Sequence, residues 1–446
     1  MSSLSATQID ASTPADRNRY ADALRMASLV VVVVGHWLMA VVTFDDGRLG
    51  GTNLLVAEPW TRWLTWGLQV MPVFFFVGGY ANAAAYSRAR DRGTSAADFI
   101  RARARRLMRP VVPLLAVWVP LVAVLAWAGL PEGLLRLGSQ NAIVPAWFLA
   151  TYLVIAALVP TTYRLHERFG ARVLLAGIVG AAVVDALHRA GVPAVGWLNF
   201  VLVWGTVHQA GYLWRDERLP RRLAPALGLA AAGLAVLVAL TQLAGYPISM
   251  VGVDGAVRSN NLPPSLALVA LGAAQIGLLM AARPACDRLL ARPLVWAGVV
   301  RAGAVTMTVF LWHMTAMLAA AALLYPTGVL QAADGRPDPT WWAQRPLWLA
   351  ACAALLAALV RVMARFERAG EPRPRASTAR ALAGVAATAA GLTGLVLGGL
   401  YDPEGAFGIP AGSLVLLVGG LGALGVLRGP ARRRPAGRVP PGDRAA

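Results

Sequence analysis

Long apolar runs broken by short polar segments fill the chain from residue 24 onward. The first, "LRMASLVVVVVGHWLM", carries Arg25 at its start and His36 inside the apolar stretch. The runs fall near 24–44, 63–86, 108–130, 143–163, 171–188, 196–214, 223–244, 264–282, 302–324, 346–364, 379–400 and 411–428. Most hold about 18–24 residues, enough to cross ~30 Å of hydrocarbon at 1.5 Å per residue. They are continuous rather than alternating, which predicts helices and not barrel strands. The expected fold is an all-α, polytopic membrane helical bundle with about twelve transmembrane helices.

Composition agrees with this pattern. The 446 residues are 57% hydrophobic and 14% charged, with a mean hydropathy of +0.58. A soluble chain of this size is about one quarter charged. The N-terminal "MSSLSATQIDASTPADRNRY" has no apolar core of a cleavable signal, so the first run is expected to act as an uncleaved targeting segment. Cys286 and Cys352 stand in unrelated segments and build neither a disulfide framework nor a metal motif.

Charge placement sets the expected orientation. Every basic residue is arginine, and the net charge is +19. Of the 41 arginines, 34 fall in one alternating set of loops together with both termini, and 7 in the other. The positive-inside rule then predicts a plasma-membrane protein with both termini in the cytoplasm. Arginines that bracket continuous spans also exclude a soluble nucleic-acid binder; their expected partners are membrane lipids. The loop expected at 87–109 is denser than orientation requires: it carries eight arginines and ends in "RARARRLMRP". Arg103, Arg105, Arg106 and Arg109 therefore form a candidate site for a polyanion, because the guanidinium fork matches phosphate oxygens.

Ionisable groups inside spans cost about 2.5–3.5 kcal/mol on insertion scales, so each needs a reason. They are His36, His208, His313 and the outer pair Asp185 and His188, with Gln69, Asn82, Asn199 and Gln209 as polar neutral residues. Arg25 and His36 are eleven positions apart. On a helix this is about 20° from a common azimuth and ~16 Å along the axis. An arginine at the lip and a histidine beneath it suit a cleft that ends at a base. His313 lies at similar depth in the other half of the chain and is the second candidate. Asp185 and His188, three apart, are expected to pair with each other. No G-x-S-x-G or H-E-x-x-H motif is present, which leaves a histidine base acting on a hydroxyl held by binding energy.

These residues resemble a known signature. Arg25, ten residues and His36 in "DALRMASLVVVVVGHW" are similar to the first span of the membrane acyltransferase-3 family. "MPVFFFVGGYANAAAY" resembles that family's second span and "RLMRP", with Arg106 and Arg109, its R-x-x-R motif. "PAWFLATYL" and "VFLWHM" resemble its fourth and late spans, and "GYPISMVGVDGAVRSNNLPPSLALVALG" an actinobacterial-type branch. The resemblance covers about residues 16–366. It implies transfer of an acyl group, commonly acetyl, from an acyl-CoA to a hydroxyl of a sugar-containing acceptor: a surface glycan, a lipid-linked glycan or a glycosylated metabolite. It implies His36 as the catalytic histidine with Arg25 as its partner and Arg106 and Arg109 as donor-binding or structural arginines at the mouth. His313 is then expected to act as an acid or acyl-oxygen donor. "WFLATY" lacks the acidic residue of the "WSLxxE" branch, and two spans are added beyond the usual ten.

The expected division is a tail at 1–23, a ten-helix acyltransferase domain at 24–366, a linker at 367–378, two added helices at 379–428 and a basic tail at 429–446. No metal site is expected. The rival reading is a transporter or flippase with midplane histidines as a proton relay, which predicts inverted repeats that the sequence does not display. Nothing in the outer loops names the acceptor. Trp341, Trp342 and Trp348 are expected in an interfacial aromatic belt.

Overall fold

A computed structural model describes residues 4–45, 48–330, 336–367 and 377–427. The basic tail at 429–446 and most of the 367–378 linker lie outside the described residues. The longer helices, in chain order, are α1 (Ala6–Ala11), α2 (Arg19–Met39), α3 (Met71–Asp91), α4 (Ala96–Met108), α5 (Val111–Trp127), α6 (Glu132–Ile143), α7 (Ala146–Phe169) and α8 (Arg172–Arg189). They continue with α9 (Asn199–Arg215), α10 (Leu223–Gln242), α11 (Leu266–Leu290), α12 (Pro293–Gly303), α13 (Thr306–Leu324), α14 (Arg345–Met363), α15 (Thr378–Gly398) and α16 (Ala411–Leu424). Among the described residues the one sheet is a two-stranded antiparallel hairpin, β1 (Ala40–Asp45) and β2 (Arg48–Asn53), which the apolar pattern did not announce.

Each of the twelve expected runs falls on a helix. Among the described residues, eight helical segments are long and apolar enough by length and composition to cross a membrane, or nine if α4 and α5, bent by 45°, form one span. The shortfall has simple causes. α8 carries Arg172, Asp185 and Arg189 within 18 residues, α9 has 17 residues and α16 has 14.

The segment 87–109, read as a loop, is mostly helix α4. Ser95 caps it by accepting from the Asp98 N–H. Ala97, Phe99, Ile100, Ala104 and Met108 form its buried face, so the arginines are held on a fixed amphipathic scaffold.

α2 is the hub. Asn18 caps it by accepting from the Ala21 N–H, and Asp22 complements the positive end of its dipole. It packs against α3, α11, α12, α13 and α14. The arginine-rich segments gather at one end of the bundle. There Arg88 pairs with Asp16, Arg90 with Glu167, Arg301 with the Leu4 carbonyl, and Arg17 and Arg19 lie over the Trp296 ring. The N-terminal stretch is thus no free tail. Ile9 packs with Trp296, and the Trp296 indole donates to Thr13.

The opposite end holds the hairpin and the 243–265 loop. Trp66 donates to the Ile248 carbonyl, Gln69 to the Met250 carbonyl, and the buried Asn260 to the Pro247 and Ser249 carbonyls. Asp185 does not pair with His188. Its Oδ2 accepts from the Tyr246 hydroxyl at 2.8 Å and from the Leu266 N–H at 2.9 Å, so it ties the loop to the start of α11. Burial first, and the bond to Asp185 second, raise the Tyr246 hydroxyl above the usual tyrosine range and keep it a donor. Asp185→Ala is expected to cost about 1–3 kcal/mol by orphaning two donors. Thermal unfolding of the purified protein checks this, and an unchanged midpoint would refute it.

The tryptophans divide. Trp341 and Trp348 are core residues at 1% and 0% exposure, and only Trp342, at 39%, is available to an interfacial belt. Trp348 donates to the Trp37 carbonyl at the end of α2, and Arg345 stacks on Trp341 with its centre 3.8 Å from the ring.

Candidate active site

The two halves of the chain meet at His36 and His313. His36 Nδ1 lies 2.8 Å from His313 Nε2, with the ring planes within 17° and centroids 5.0 Å apart. A nitrogen–nitrogen contact this short between nearly parallel rings is an edge-on hydrogen bond rather than face stacking. α2 and α13 are pinned together around it: the Trp37 indole donates to the His313 carbonyl at 3.0 Å.

The direction of this bond follows from its far end. His313 Nδ1 stands 2.7 Å from the Phe310 carbonyl oxygen, which can only accept. Neutral His313 therefore carries its proton on Nδ1 and accepts at Nε2. His36 must donate from Nδ1, which leaves the lone pair on His36 Nε2. His313 is fully buried at 0% exposure, whereas His36 is partly exposed. The partly exposed imidazole is thus the one whose Nε2 is not committed within the pair. No carboxylate is needed to orient it.

Arg25 does not touch His36. It shares the continuous helix α2, about three turns toward the arginine-rich end, and pairs with Asp22 at 3.2 Å. Arg103 and Arg106 lie on α4, and Arg103 senses the charges of Arg106, Arg25 and Arg88. Residues from three helices thus form one basic mouth. Arg103 is half-buried; its Nη2 points at the Ala81 carbonyl at 3.4 Å and its guanidinium lies over Phe99. Arg106 is exposed, and Arg109 sits at the α4–α5 bend. Neither makes an ion pair among the described residues. Arg105 is half-buried on the same helix. A cradle of guanidiniums in which Arg106 and Arg109 make no ion pair among the described residues fits a polyanion.

His208, the third span histidine, is not part of the pair. Its Nε2 accepts from Asn82 Nδ2 at 3.0 Å, and the same amide donates to the Tyr152 hydroxyl at 3.1 Å. Tyr152 went unremarked in the sequence, although it ends "WFLATY" where the other branch carries its acid. The sequence also passed over His166. Its ring nitrogens contact Asp216 Oδ2 at 2.8 Å and the Gln209 amide at 2.6 Å, so both are occupied and it serves as a lock between α7 and α9.

A family model described as an acyltransferase domain matches residues 18–362. Neither a curated protein nor a solved structure matches the chain. α15 and α16 lie beyond the matched region and pack on each other, α15 also on α7 and α16 on α4. The match spans α2 to α14 and thereby takes in both halves of the histidine pair and the arginine-bearing α4. The chain belongs to the acyltransferase-3 family and is a multi-pass membrane acyltransferase.

Proposed function

We propose that the protein moves an acyl group, acetyl by preference, from a coenzyme A thioester to a hydroxyl of a sugar-containing acceptor. In this reading the arginine-rich end and both termini face the cytoplasm of a plasma membrane, where the donor is found. The observation that carries it is the lone pair on Nε2 of the partly exposed His36, fixed through His313 and the Phe310 carbonyl.

The donor phosphates rest on Arg25, Arg103, Arg105, Arg106 and Arg109. The arm descends along α2, about 16 Å from Arg25 to His36. His36 Nε2 takes the acceptor hydroxyl proton as the oxygen attacks the thioester carbonyl. The tetrahedral intermediate expels the thiolate, which receives the proton from His36. While protonated, His36 still donates from Nδ1 to His313 Nε2, so the imidazolium is stabilised in place. His313 thus acts through His36, as an acceptor rather than an acid.

The test is label transfer from radiolabelled acetyl-CoA in membranes that contain the protein. Label is expected in glycan or glycolipid fractions and should be released by mild alkali, as for an oxygen ester. Alkali-stable label would make the product an amide and overturn the hydroxyl assignment. Solute uptake into vesicles without any acyl donor would support the transporter reading instead.

Arg106→Ala probes the mouth. Loss of a charge-assisted contact worth about 1.5–3 kcal/mol should weaken acetyl-CoA binding about tenfold or more. Thermal stabilisation of the purified protein by acetyl-CoA reads this directly. Undiminished stabilisation would remove Arg106 from the donor site.

A further inference from the structure

We infer that Tyr152 is a hydrogen-bond donor to the amide arm of the acyl donor, placed between the arginine mouth and His36. This rests on the reading of the donor as a pantetheine thioester.

Placement is the first argument. On α7, Tyr152 lies one turn, about 6 Å, from Phe148. The Phe148 ring meets Phe310 at 5.5 Å, and Phe310 stands 6.1 Å from the His313 ring. On the other side, Arg103 contacts the carbonyl of Ala81, the residue before the Asn82 that donates to Tyr152. The order along the bundle is therefore histidine pair, Tyr152, Arg103 and the rest of the mouth. A pantetheine thioester has the same order: reactive carbonyl, amides, phosphates.

The second argument is the state of the hydroxyl. Tyr152 Oη accepts from Asn82 Nδ2, so its own proton is free to point elsewhere. Asn82 is held from behind by His208, and both are buried at 1% and 2% exposure. Tyr152 is partly exposed. Gly78 makes room for it: a Cβ at that position would stand 2.7 Å from the Tyr152 ring and 2.8 Å from its oxygen. The α3 surface is thus shaped to hold this phenol.

The third argument is chemical. Phe75 and Phe148 wall the tyrosine at 5.8 and 5.4 Å. An amide drawn through such surroundings without a partner costs about 1–3 kcal/mol. A fixed phenol O–H offers its carbonyl a partner. The aromatic walls accept the carbon chain and exclude competing water.

The test uses detergent-purified full-length protein and three probes: acetyl-CoA, S-acetylpantetheine and adenosine 3′,5′-bisphosphate. Tyr152→Phe should weaken the first two about tenfold and leave the bisphosphate unchanged. Gly78→Ala, which displaces the phenol, should give the same split. A merely structural role would lower the affinity for all three probes together, and that result overturns the inference. Acetyl-CoA binding unaltered by Tyr152→Phe also overturns it while leaving the donor reading intact. If the wild-type protein binds none of the three, the donor reading itself fails and this inference with it.

Discussion

His36→Ala is expected to lower acyl transfer from acetyl-CoA by about 10²–10⁴-fold while membrane insertion stays near wild type and stability falls only by the about 1–3 kcal/mol that an orphaned His313 acceptor costs. Within the pair, His36 Nε2 is the one ring nitrogen left with an uncommitted lone pair, so it is the nitrogen expected to take the hydroxyl proton. His313 is buried and its lone pair is already committed to His36. Donor binding should survive, because the mouth lies about 16 Å away. His313 variants sharpen the test. His313→Ala removes the acceptor that fixes the His36 tautomer, so the rate should fall with donor affinity unchanged. His313→Gln places an amide oxygen where Nε2 was and should recover part of the loss. Initial rates with labelled acetyl-CoA, read beside thermal unfolding, separate these outcomes. Wild-type rates in purified His36→Ala would end the assignment.

The sequence made some of this legible because helical periodicity is a local rule. Arg25 and His36 share a face for reasons contained in one helix, and the arginine count per loop needs no tertiary knowledge. The meeting of His36 with His313, 277 positions apart, was visible only as a shared depth. That the two would be hydrogen-bonded depends on how α2 and α13 cross. Other features were out of reach for the same reason. Asp185 finds Tyr246 and the Leu266 N–H rather than the neighbouring His188, because the loop folds back over α8. Trp341 and Trp348 look interfacial by position, yet the end of α2 and Arg345 enclose them. α4 hid as a loop because its charge overwhelmed its hydrophobicity; its buried residues at 97, 100, 104 and 108 carried a helical period. Tyr152 was missed because a tyrosine in an apolar run reads as packing until its partner, here Asn82, is known.

Gly79→Ala is expected to be among the most destabilising single-methyl additions in the chain. α3 and α9 cross at Gly79 and Gly211 with their backbones in contact. A Cβ on Gly79 would overlap the His208 carbonyl oxygen and lie 2.8 Å from its carbon and 3.1 Å from the Gly211 Cα. A Cβ on Gly211 would likewise overlap the Phe76 carbonyl oxygen and lie 2.5 Å from the Tyr80 nitrogen. Flexible side chains can yield to a methyl group, but these neighbours are backbone. In a bilayer, lipid tails offer helices no hydrophobic reason to associate, so close packing through small residues supplies much of the cohesion. Overpacking of a tight core costs about 1–3 kcal/mol even where side chains can shift, and this crossing should reach or exceed the top of that range. The effect should also spread to the site. Asn82 is one turn from Gly79, and His208 is the residue whose carbonyl is struck, so prising α3 from α9 breaks the Asn82–His208 contact and loosens Tyr152. The control is Gly205→Ala on the same helix α9, where a Cβ meets nothing within 4 Å. That variant should unfold within about 1 kcal/mol of wild type, the size of the helix-propensity difference alone. Thermal unfolding of both purified variants decides the matter: equal midpoints would mean that the α3–α9 crossing is looser than its geometry requires.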